Sequence, residues 1–297
     1  MATTPNIDMG GKTVLVTGAN QGIGYETALA LAGMGATVGL VCRNKERGET
    51  AQAQIRSLAG NQNVDLFHYD LASQAETDRL IDEVKSRYDR LDVLVNNAGV
   101  VLNRRQVSPD GHELTLAINH LAPFQLTIGL VGLLTSSAPS RVVTVSSRAH
   151  QQGDIYFDDL HLERSWGRLG AMRSYGQSKL ANILFAREFA KRTEGSGIIS
   201  TSMHPGGVAT NFGKSNPGWT GTVWRLLTKI GGPLMRSPAK GAETVIWLAT
   251  APEAIADNGA YFSDKKVKSV SKVAQDDDVA ARLWEVSAEL TGVDLPA

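Results

Sequence analysis

Tyr175 and Lys179 are four residues apart in the segment "YGQSK", within an apolar pattern that predicts a helix over about 172–192. Residues four apart lie on one face of a helix, one turn from each other. A phenol ordinarily has a pKa near 10, and a neighbouring ammonium group favours the phenolate. Lowering that pKa by two or three units needs roughly 3–4 kcal/mol. The pair could transfer a proton at an oxygen atom, and the alternative is an amphipathic helix with a solvated lysine.

The glycine-rich segment "TGANQGIG" is a second chemical feature. It joins a β-branched apolar run over 13–18 to an Ala/Leu-rich helical pattern over 22–33. Gly18, Gly22 and Gly24 would let a diphosphate approach the backbone at a helix N-terminus, where N–H groups are free and the dipole is positive. They would also permit close packing of the helix on the strand. A plain structural turn is the alternative interpretation.

The elements that must position these residues alternate along the chain. Strand-like runs are expected at 13–18, 37–43, 64–70, 91–99, 141–147, 198–206 and 259–262. Helical patterns are expected at 22–33, 45–59, 73–88, 111–135 and 172–192. This alternation, with mostly apolar strands, predicts a parallel sheet covered by helices on both faces. We expect an α/β fold of the doubly wound Rossmann type, with about seven strands in three layers.

Nothing in the 297 residues divides them by a repeat or a linker, so a single domain over 1–297 is expected. Two stretches interrupt the alternation: the polar segment 148–171 and the Gly/Pro-rich segment 211–240. Loops of this length in a compact domain are usually functional or disordered. We interpret the first as an insertion and the second as a lid over an apolar substrate. Simple packing on the core is the alternative for the second.

Charge and residue counts argue against several function classes. Lys and Arg total 30 and balance 30 Asp and Glu, so no basic surface for nucleic acid is expected. The single cysteine, Cys42, cannot form an intrachain disulfide, and no histidine has metal-ligand spacing, so no metal is expected. No apolar stretch reaches the ~18 residues of a membrane span, and "MATTPNIDMGGK" lacks a signal-peptide core. The expected location is the cytoplasm.

The glycine spacing "TGxxxGxG" resembles that of the short-chain dehydrogenase/reductase family. Further motifs of that family follow in order: "NNAG" at 96–99, Asn119 in the next helix, "VSS" at 145–147, "YGQSK" at 175–179 and "HPGGVAT" at 204–210. They cover residues 13–210, about two-thirds of the chain. Details such as "CRN", "RVVTVSS" and "SKLANILFAREFAKR" look most like the retinol-dehydrogenase-like and carbonyl-reductase branch.

The resemblance implies a catalytic set of Asn119, Ser147, Tyr175 and Lys179. Tyr175 would exchange a proton with the substrate oxygen, and Lys179 would contact the nicotinamide ribose. Ser147 would hold the substrate oxygen, and Asn119 would hold a water that links Lys179 to solvent. Whether Ser146 or Ser147 faces the substrate stays open, because the spacing to Tyr175 is longer than usual. The residues implied in cofactor binding are Gly18, Asn20, Gln21, Gly22, Ile23, Gly24, Arg43, Asn44, Asp70, Leu71, Asn97, Ala98, Gly99, Tyr175, Lys179, Pro205, Gly206, Val208 and Thr210.

Arg43 indicates which cofactor the site prefers. Enzymes that use NAD tend to have an acidic residue about 20 positions after the glycines, whereas an arginine suits the 2′-phosphate of NADP. The second strand ends "LVCRN", with no Asp or Glu between Thr37 and Asn44. NADP(H) is therefore expected, with NAD(H) as the alternative and with Lys45 and Arg47 as further phosphate contacts.

The sequence thus favours an NADP(H)-dependent oxidoreductase that interconverts an apolar aldehyde or ketone and its alcohol by hydride transfer. Two alternatives stay open: an NAD-linked alcohol or steroid dehydrogenase, and a non-catalytic nucleotide-binding sensor. Such sensors usually lack the tyrosine or the lysine. The expected partner is a small apolar carbonyl or alcohol substrate. Both a monomer and a homo-oligomer agree with the sequence, since 148–171 could cover a helix face used in association.

Overall fold

The computed structural model describes residues 7–207 and 236–293. Its first strands and helices agree with the predicted ones to within a few residues at their ends. In chain order they are β1 (Thr13–Thr17), α1 (Gly22–Gly33), β2 (Thr37–Cys42), α2 (Lys45–Ala59), β3 (Val64–His68), α3 (Gln74–Arg87) and β4 (Val93–Asn96).

The helical segment after β4 is interrupted, although the sequence predicts one helix over 111–135. It consists of α4 (Leu114–Leu116), a π-helical turn (Ala117–Leu121), α5 (Ala122–Gly129) and α6 (Val131–Ser136). Single π-turns inside helices occur frequently at functional sites, and this one contains Asn119. The apolar pattern does not reveal the turn, because every residue from Ala117 to Ile128 is buried.

Two helices in the second half of the chain are absent from the predicted elements. This half contains β5 (Ser140–Val145), α7 (Gly170–Arg192), β6 (Ile198–Met203), α8 (Pro238–Thr250), β7 (Tyr261–Ser263), β8 (Lys266–Val267) and α9 (Asp277–Thr291). The unpredicted helices, α8 and α9, both have start signals, since Ser237 caps the first and Asp276 caps the second. Most of the segment 211–240 lies outside the described residues, and its residues 238–240 form the first turn of α8.

The eight strands form one sheet in the order β3-β2-β1-β4-β5-β6-β7-β8. The strands β1 to β7 pair in parallel, and β8 pairs antiparallel with β7. The direction of the strand order reverses between β1 and β4, where open α/β sheets bind ligands at the carboxyl ends of their strands. The predicted Rossmann-type fold is confirmed, with a two-residue eighth strand at the edge.

Both faces of the sheet are covered. Alternate side chains of β1 enter different cores: Val14 and Val16 pack under α1, α2 and α8, and Leu15 packs under α3, α5 and α7. Trp284 of α9 joins the second core, where its ring stacks on Phe185 at 5.9 Å and on Phe189 at 6.2 Å between centroids. No helix within 7–207 or 236–293 combines the length and the apolar composition needed to cross a membrane.

The turn between β1 and α1 packs tightly against the end of β4. Gly18 and Gly22 have φ angles of +66° and +62°, which glycine adopts without steric cost. A Cβ on Gly24 would lie 2.5 Å from the Gly18 carbonyl oxygen and 2.5 Å from Asn97 Nδ2. The glycine at position 24 therefore lets α1 approach the ends of two strands.

We expect Gly24→Ala to lower the free energy of unfolding by about 1–3 kcal/mol, the usual cost of overpacking, because the added methyl group has no space. Urea denaturation measures the change. Gly33→Ala, in the same helix, is the control, since nothing lies within 4 Å of its added Cβ. It should leave the free energy unchanged or raise it by up to about 1 kcal/mol. Equal effects of the two substitutions would contradict the packing argument.

Candidate active site

The carboxyl ends of four parallel strands bring the predicted site residues to one edge of the sheet. Gly18 follows β1, Asn97 follows β4, Ser147 follows β5, and Pro205 is close behind β6. The first turns of α7 bring Tyr175 to the same edge. Residues far apart in the sequence meet here because parallel strands all end on one side.

Thr17 joins the ends of β1 and β4. Its hydroxyl oxygen accepts hydrogen bonds from the backbone N–H groups of Asn97 and Ala98, both at 2.9 Å. In return, Asn97 Nδ2 donates to the Thr17 carbonyl at 2.8 Å. The sequence analysis did not identify Thr17 as a site residue. The feature that could have indicated it is a hydroxyl side chain at the end of a strand that is mostly apolar.

Ser147 and Tyr175 are hydrogen-bonded through their side chains. Both residues are partly exposed, so solvent and small molecules can reach the pair. Ser146 points elsewhere: it is 2% exposed, and its Oγ donates to the Lys179 carbonyl at 2.6 Å. Neighbouring residues of an extended chain point to opposite sides, and Ser147 is the one that faces the tyrosine.

Lys179 is buried, and its Nζ donates to the Val145 carbonyl at 2.9 Å. Burial lowers the pKa of Lys179 to about 8. Its Nζ lies 5.8 Å from the centre of the Tyr175 ring. Burial raises the pKa of Tyr175, and the hydrogen bond with Ser147 opposes this rise.

Asn119 holds the loop that follows β4. Its Oδ1 accepts from the Val100 N–H at 2.8 Å, and its Nδ2 donates to the Val100 carbonyl at 3.0 Å and to Ser178 Oγ at 3.0 Å. A Cβ on the adjacent Gly99 would lie 3.3 Å from Asn119 Oδ1 and 3.4 Å from Lys179 Nζ. The missing side chain at Gly99 leaves space open beside the lysine amine.

The predicted contacts for the adenosine part of a cofactor lie at the ends of β2 and β3. Arg43 is exposed directly after β2, and Asn44 caps α2 by accepting from the Arg47 N–H at 2.8 Å. Asp70 and Leu71 follow β3 and are partly exposed. The cap of α3 is Ser73, so Asp70 is not needed in that structural role.

The other predicted cofactor contacts fall into two groups. The turn from β1 into the first residues of α1 contains Asn20, Gln21, Gly22 and Ile23. The chain after β6 contains Pro205 and Gly206. Outside the described residues lie Val208 and Thr210.

Two residues of "YGQSK" hold the segment between β5 and α7. Gln177 Oε1 accepts from the Tyr156 N–H at 3.0 Å, and its Nε2 donates to the Leu160 carbonyl at 2.8 Å. A Cβ on Gly153 would lie 2.4 Å from the Gly176 carbonyl oxygen. This segment therefore packs directly on the first turns of α7. The sequence analysis missed Gln177, because its partners are backbone groups that only the fold brings near.

Cys42 and His120 agree with packing roles, whereas His204 has polar partners. Cys42 is 2% exposed, and burial raises the pKa of its thiol to about 12, as for an unreactive cysteine. His120 is buried against Phe124 and Phe185. His204 differs, since both of its ring nitrogens are hydrogen-bonded to side chains. Within the described ranges, no group of three or more His, Cys, Asp or Glu side chains is arranged to hold a metal ion.

The chain is similar to known proteins over nearly its whole length. Residues 12–158 match the family model described as short chain dehydrogenase. Retinol dehydrogenase 14 from Homo sapiens is 40% identical over 298 residues, which cover 96% of this chain and 88% of that protein. Retinol dehydrogenase 13 from Homo sapiens is 40% identical over 291 residues, which cover 97% of this chain and 86% of that protein.

A solved structure is similar to the whole fold. The crystal structure of an uncharacterized protein from Mycobacterium paratuberculosis has a TM-score of 0.79 and 31% sequence identity, over 98% of this chain and 97% of that chain. Identity at this level across most of the chain, together with the family model, shows common membership. The chain therefore belongs to the short-chain dehydrogenase/reductase family, whose members are oxidoreductases that bind NAD(P).

Proposed function

We propose that this protein is an NADP(H)-dependent oxidoreductase that interconverts an apolar aldehyde or ketone and its alcohol, with Tyr175 as general acid and base. The observation that carries the proposal is the hydrogen bond between Tyr175 and Ser147 beside the buried amine of Lys179. Binding a nucleotide does not require a partly exposed pair of hydrogen-bonded hydroxyl groups. It also does not explain why an amine is buried next to them, although burial of the charged amine is unfavourable.

The edge of the sheet fits a dinucleotide. The glycine turn ends at the N-terminus of α1, where backbone N–H groups are available to a diphosphate. The space left at Gly99 lies beside Lys179 Nζ, which would donate to a ribose hydroxyl there. When bound, the nicotinamide supplies or accepts the hydride.

Tyr175 would move the proton, and Ser147 would hold the reacting oxygen. In reduction the phenol donates to the carbonyl oxygen as negative charge develops on it, and the serine hydroxyl donates a second hydrogen bond. Burial raises the pKa of Tyr175 and keeps the phenol protonated at neutral pH, as an acid must be. In oxidation the phenolate is favoured by a nearby positive charge, which Lys179 carries below its pKa of about 8.

Two exposed apolar side chains support an apolar substrate. Met172 is 50% exposed and lies one helical turn before Tyr175 on the same side of α7. Leu169 is 62% exposed and lies three residues before Met172. Exposed apolar side chains that cluster next to a reactive group are typical of a binding site. The relatives named retinol dehydrogenases agree with an apolar alcohol.

The domain organisation and the location are also proposals. Strands from Thr13 to Val267 join one sheet, which supports a single domain over 1–297. The contacts of Gln177 support 148–171 as an insertion packed on α7. A single buried cysteine supports the cytoplasm, since disulfides are rare there.

Tyr175→Phe should lower kcat roughly 10²- to 10⁴-fold, the usual contribution of a general acid. The Kd of NADPH should stay within a few-fold, because only a hydroxyl is removed. Tyr156→Phe makes the same change in the segment packed on α7 and should leave both constants unchanged. Stopped-flow turnover and fluorescence titration of NADPH measure these values. A kcat of Tyr175→Phe close to that of the parent would exclude this tyrosine as the acid.

The substrate class is tested by a screen of aldehydes from propanal to dodecanal, each with NADPH and with NADH. We expect kcat/KM to rise with chain length. Met172→Asp should lower it roughly tenfold for the long aldehydes and leave propanal unchanged, since apolar contacts are worth roughly 1–3 kcal/mol. Leu58→Asp, at a 69% exposed leucine of α2, is the control. If either cofactor binds and none of these aldehydes is turned over, the result contradicts an apolar aldehyde substrate and favours the nucleotide sensor.

The cofactor preference is tested at Arg43, which is exposed at the end of β2 with no acidic residue between Thr37 and Asn44. A guanidinium binds phosphate with two hydrogen bonds, and a net 1–3 kcal/mol corresponds to roughly 5- to 150-fold in affinity. Isothermal titration should show tighter binding of NADPH than of NADH, and Arg43→Asp should remove or reverse the difference. Lys191→Asp is the control, because it changes the net charge equally at the far end of α7. It should leave the difference in affinity between NADPH and NADH unchanged. Equal affinities of the unsubstituted protein for NADPH and NADH would contradict the predicted preference for NADPH.

A further inference from the structure

Four side chains that the proposed function does not use form a hydrogen-bonded group behind Ser147, near the ends of β5, β6 and β7. The Tyr261 hydroxyl lies 2.8 Å from His204 Nδ1 and 3.3 Å from His150 Nδ1. His204 Nε2 lies 3.2 Å from Ser263 Oγ. His150 Nδ1 lies 2.7 Å from the Ser147 carbonyl oxygen. The group therefore connects β7 to the serine that faces Tyr175.

The partners fix one proton position. A carbonyl oxygen only accepts, so His150 Nδ1 carries a hydrogen and donates it to Ser147. A hydroxyl group can donate or accept, so the hydrogen bonds of His204 with Tyr261 and Ser263 agree with either neutral tautomer of His204.

The charges around the group favour the neutral form of His204. Burial, together with the nearby Arg148, His150 and Arg236, lowers the pKa of His204 to about 4, and Asp264 opposes them. Burial also lowers the pKa of His150. A cavity of about 270 Å³ borders His204 and Tyr261, and Lys268 adds a further cation to its wall. His204 is therefore neutral at neutral pH and keeps its hydrogen bond with Tyr261.

We propose that Tyr261 is a positioning residue for Ser147, and the inference rests on the proposed function of the Ser147–Tyr175 pair. Tyr261 is 4% exposed, and its ring meets the His150 ring edge-on at 4.8 Å between centroids. His150 Nε2 has no hydrogen-bond partner among the described residues. The orientation of His150 is therefore set by Tyr261 and by the Ser147 carbonyl. Tyr261 thus fixes the backbone that carries the Ser147 hydroxyl.

Tyr261→Phe keeps the ring and removes the hydroxyl. With nonanal and NADPH we expect kcat to fall roughly tenfold, because misplacement of a reacting group by 1 Å can cost as much as 10²-fold. The Kd of NADPH should not change. Tyr88→Phe is the control, since that tyrosine is also buried and its hydroxyl is hydrogen-bonded to Asp65 of β3, at the opposite end of the strand order. An NMR titration should also show a changed pKa for His204 in Tyr261→Phe, because one of the two side-chain hydrogen bonds of its ring is lost.

The decisive measurement repeats the substitution in a Ser147→Ala background. If Tyr261 acts through Ser147, Tyr261→Phe has no further effect on kcat there, since residues that act as a unit are not additive. The same tenfold fall in that background, or an unchanged kcat in the parent, overturns the inference. If Tyr261→Phe does not fold, His204→Leu breaks the same group and is read in the same way. An unaltered kcat in Ser147→Ala alone would instead contradict the proposed function.

Discussion

Two hydrogen bonds with opposite donor directions join Lys179 to the end of β5. Lys179 Nζ donates to the Val145 carbonyl, and Ser146 Oγ donates to the Lys179 carbonyl. Together they fix both the side chain and the backbone of one turn of α7 against one strand end. A slip of the helix by one residue, roughly 1.5 Å along its axis, would break both bonds and separate Tyr175 from Ser147. The geometry of the site therefore depends on this contact.

The contact is costly because it buries an amine. The pKa of Lys179 falls from 10.5 to about 8, which corresponds to roughly 3 kcal/mol against the charged form. The pKa of Lys179 is lower in the folded protein than in the unfolded chain. The full loss in the free energy of unfolding therefore applies below pH 8. It disappears as the pH rises past the unfolded value. The buried lysine is thus explained by what it does in the site and not by its effect on stability.

The sequence predicts those parts of the site that are encoded in short segments. The glycine turn and the pair of Tyr175 and Lys179 can be read from spacing within one strand–turn–helix unit or one helix. The roles of Thr17 and Gln177 cannot, because their partners lie on other elements and only packing selects them. Spacing also shows that Tyr175 lies near a cation, but it does not show the burial that raises the pKa of Tyr175. α9 has a readable cap and an apolar stripe, but it follows the last recognised motif and was not among the predicted elements.

The packing of α9 has a consequence for the order in which the chain assembles. α7 is 23 residues long, with Tyr175 in its second turn and the Trp284 contact near its other end. During synthesis from the N-terminus, every element of the site leaves the ribosome before Trp284 does. Until then Phe185 and Phe189 lack the ring that stacks on them, and exposed aromatic surface of this kind favours aggregation. A nascent chain of this protein therefore passes through a stage at which all strands of the described sheet have been synthesised while the aromatic face of α7 is still uncovered.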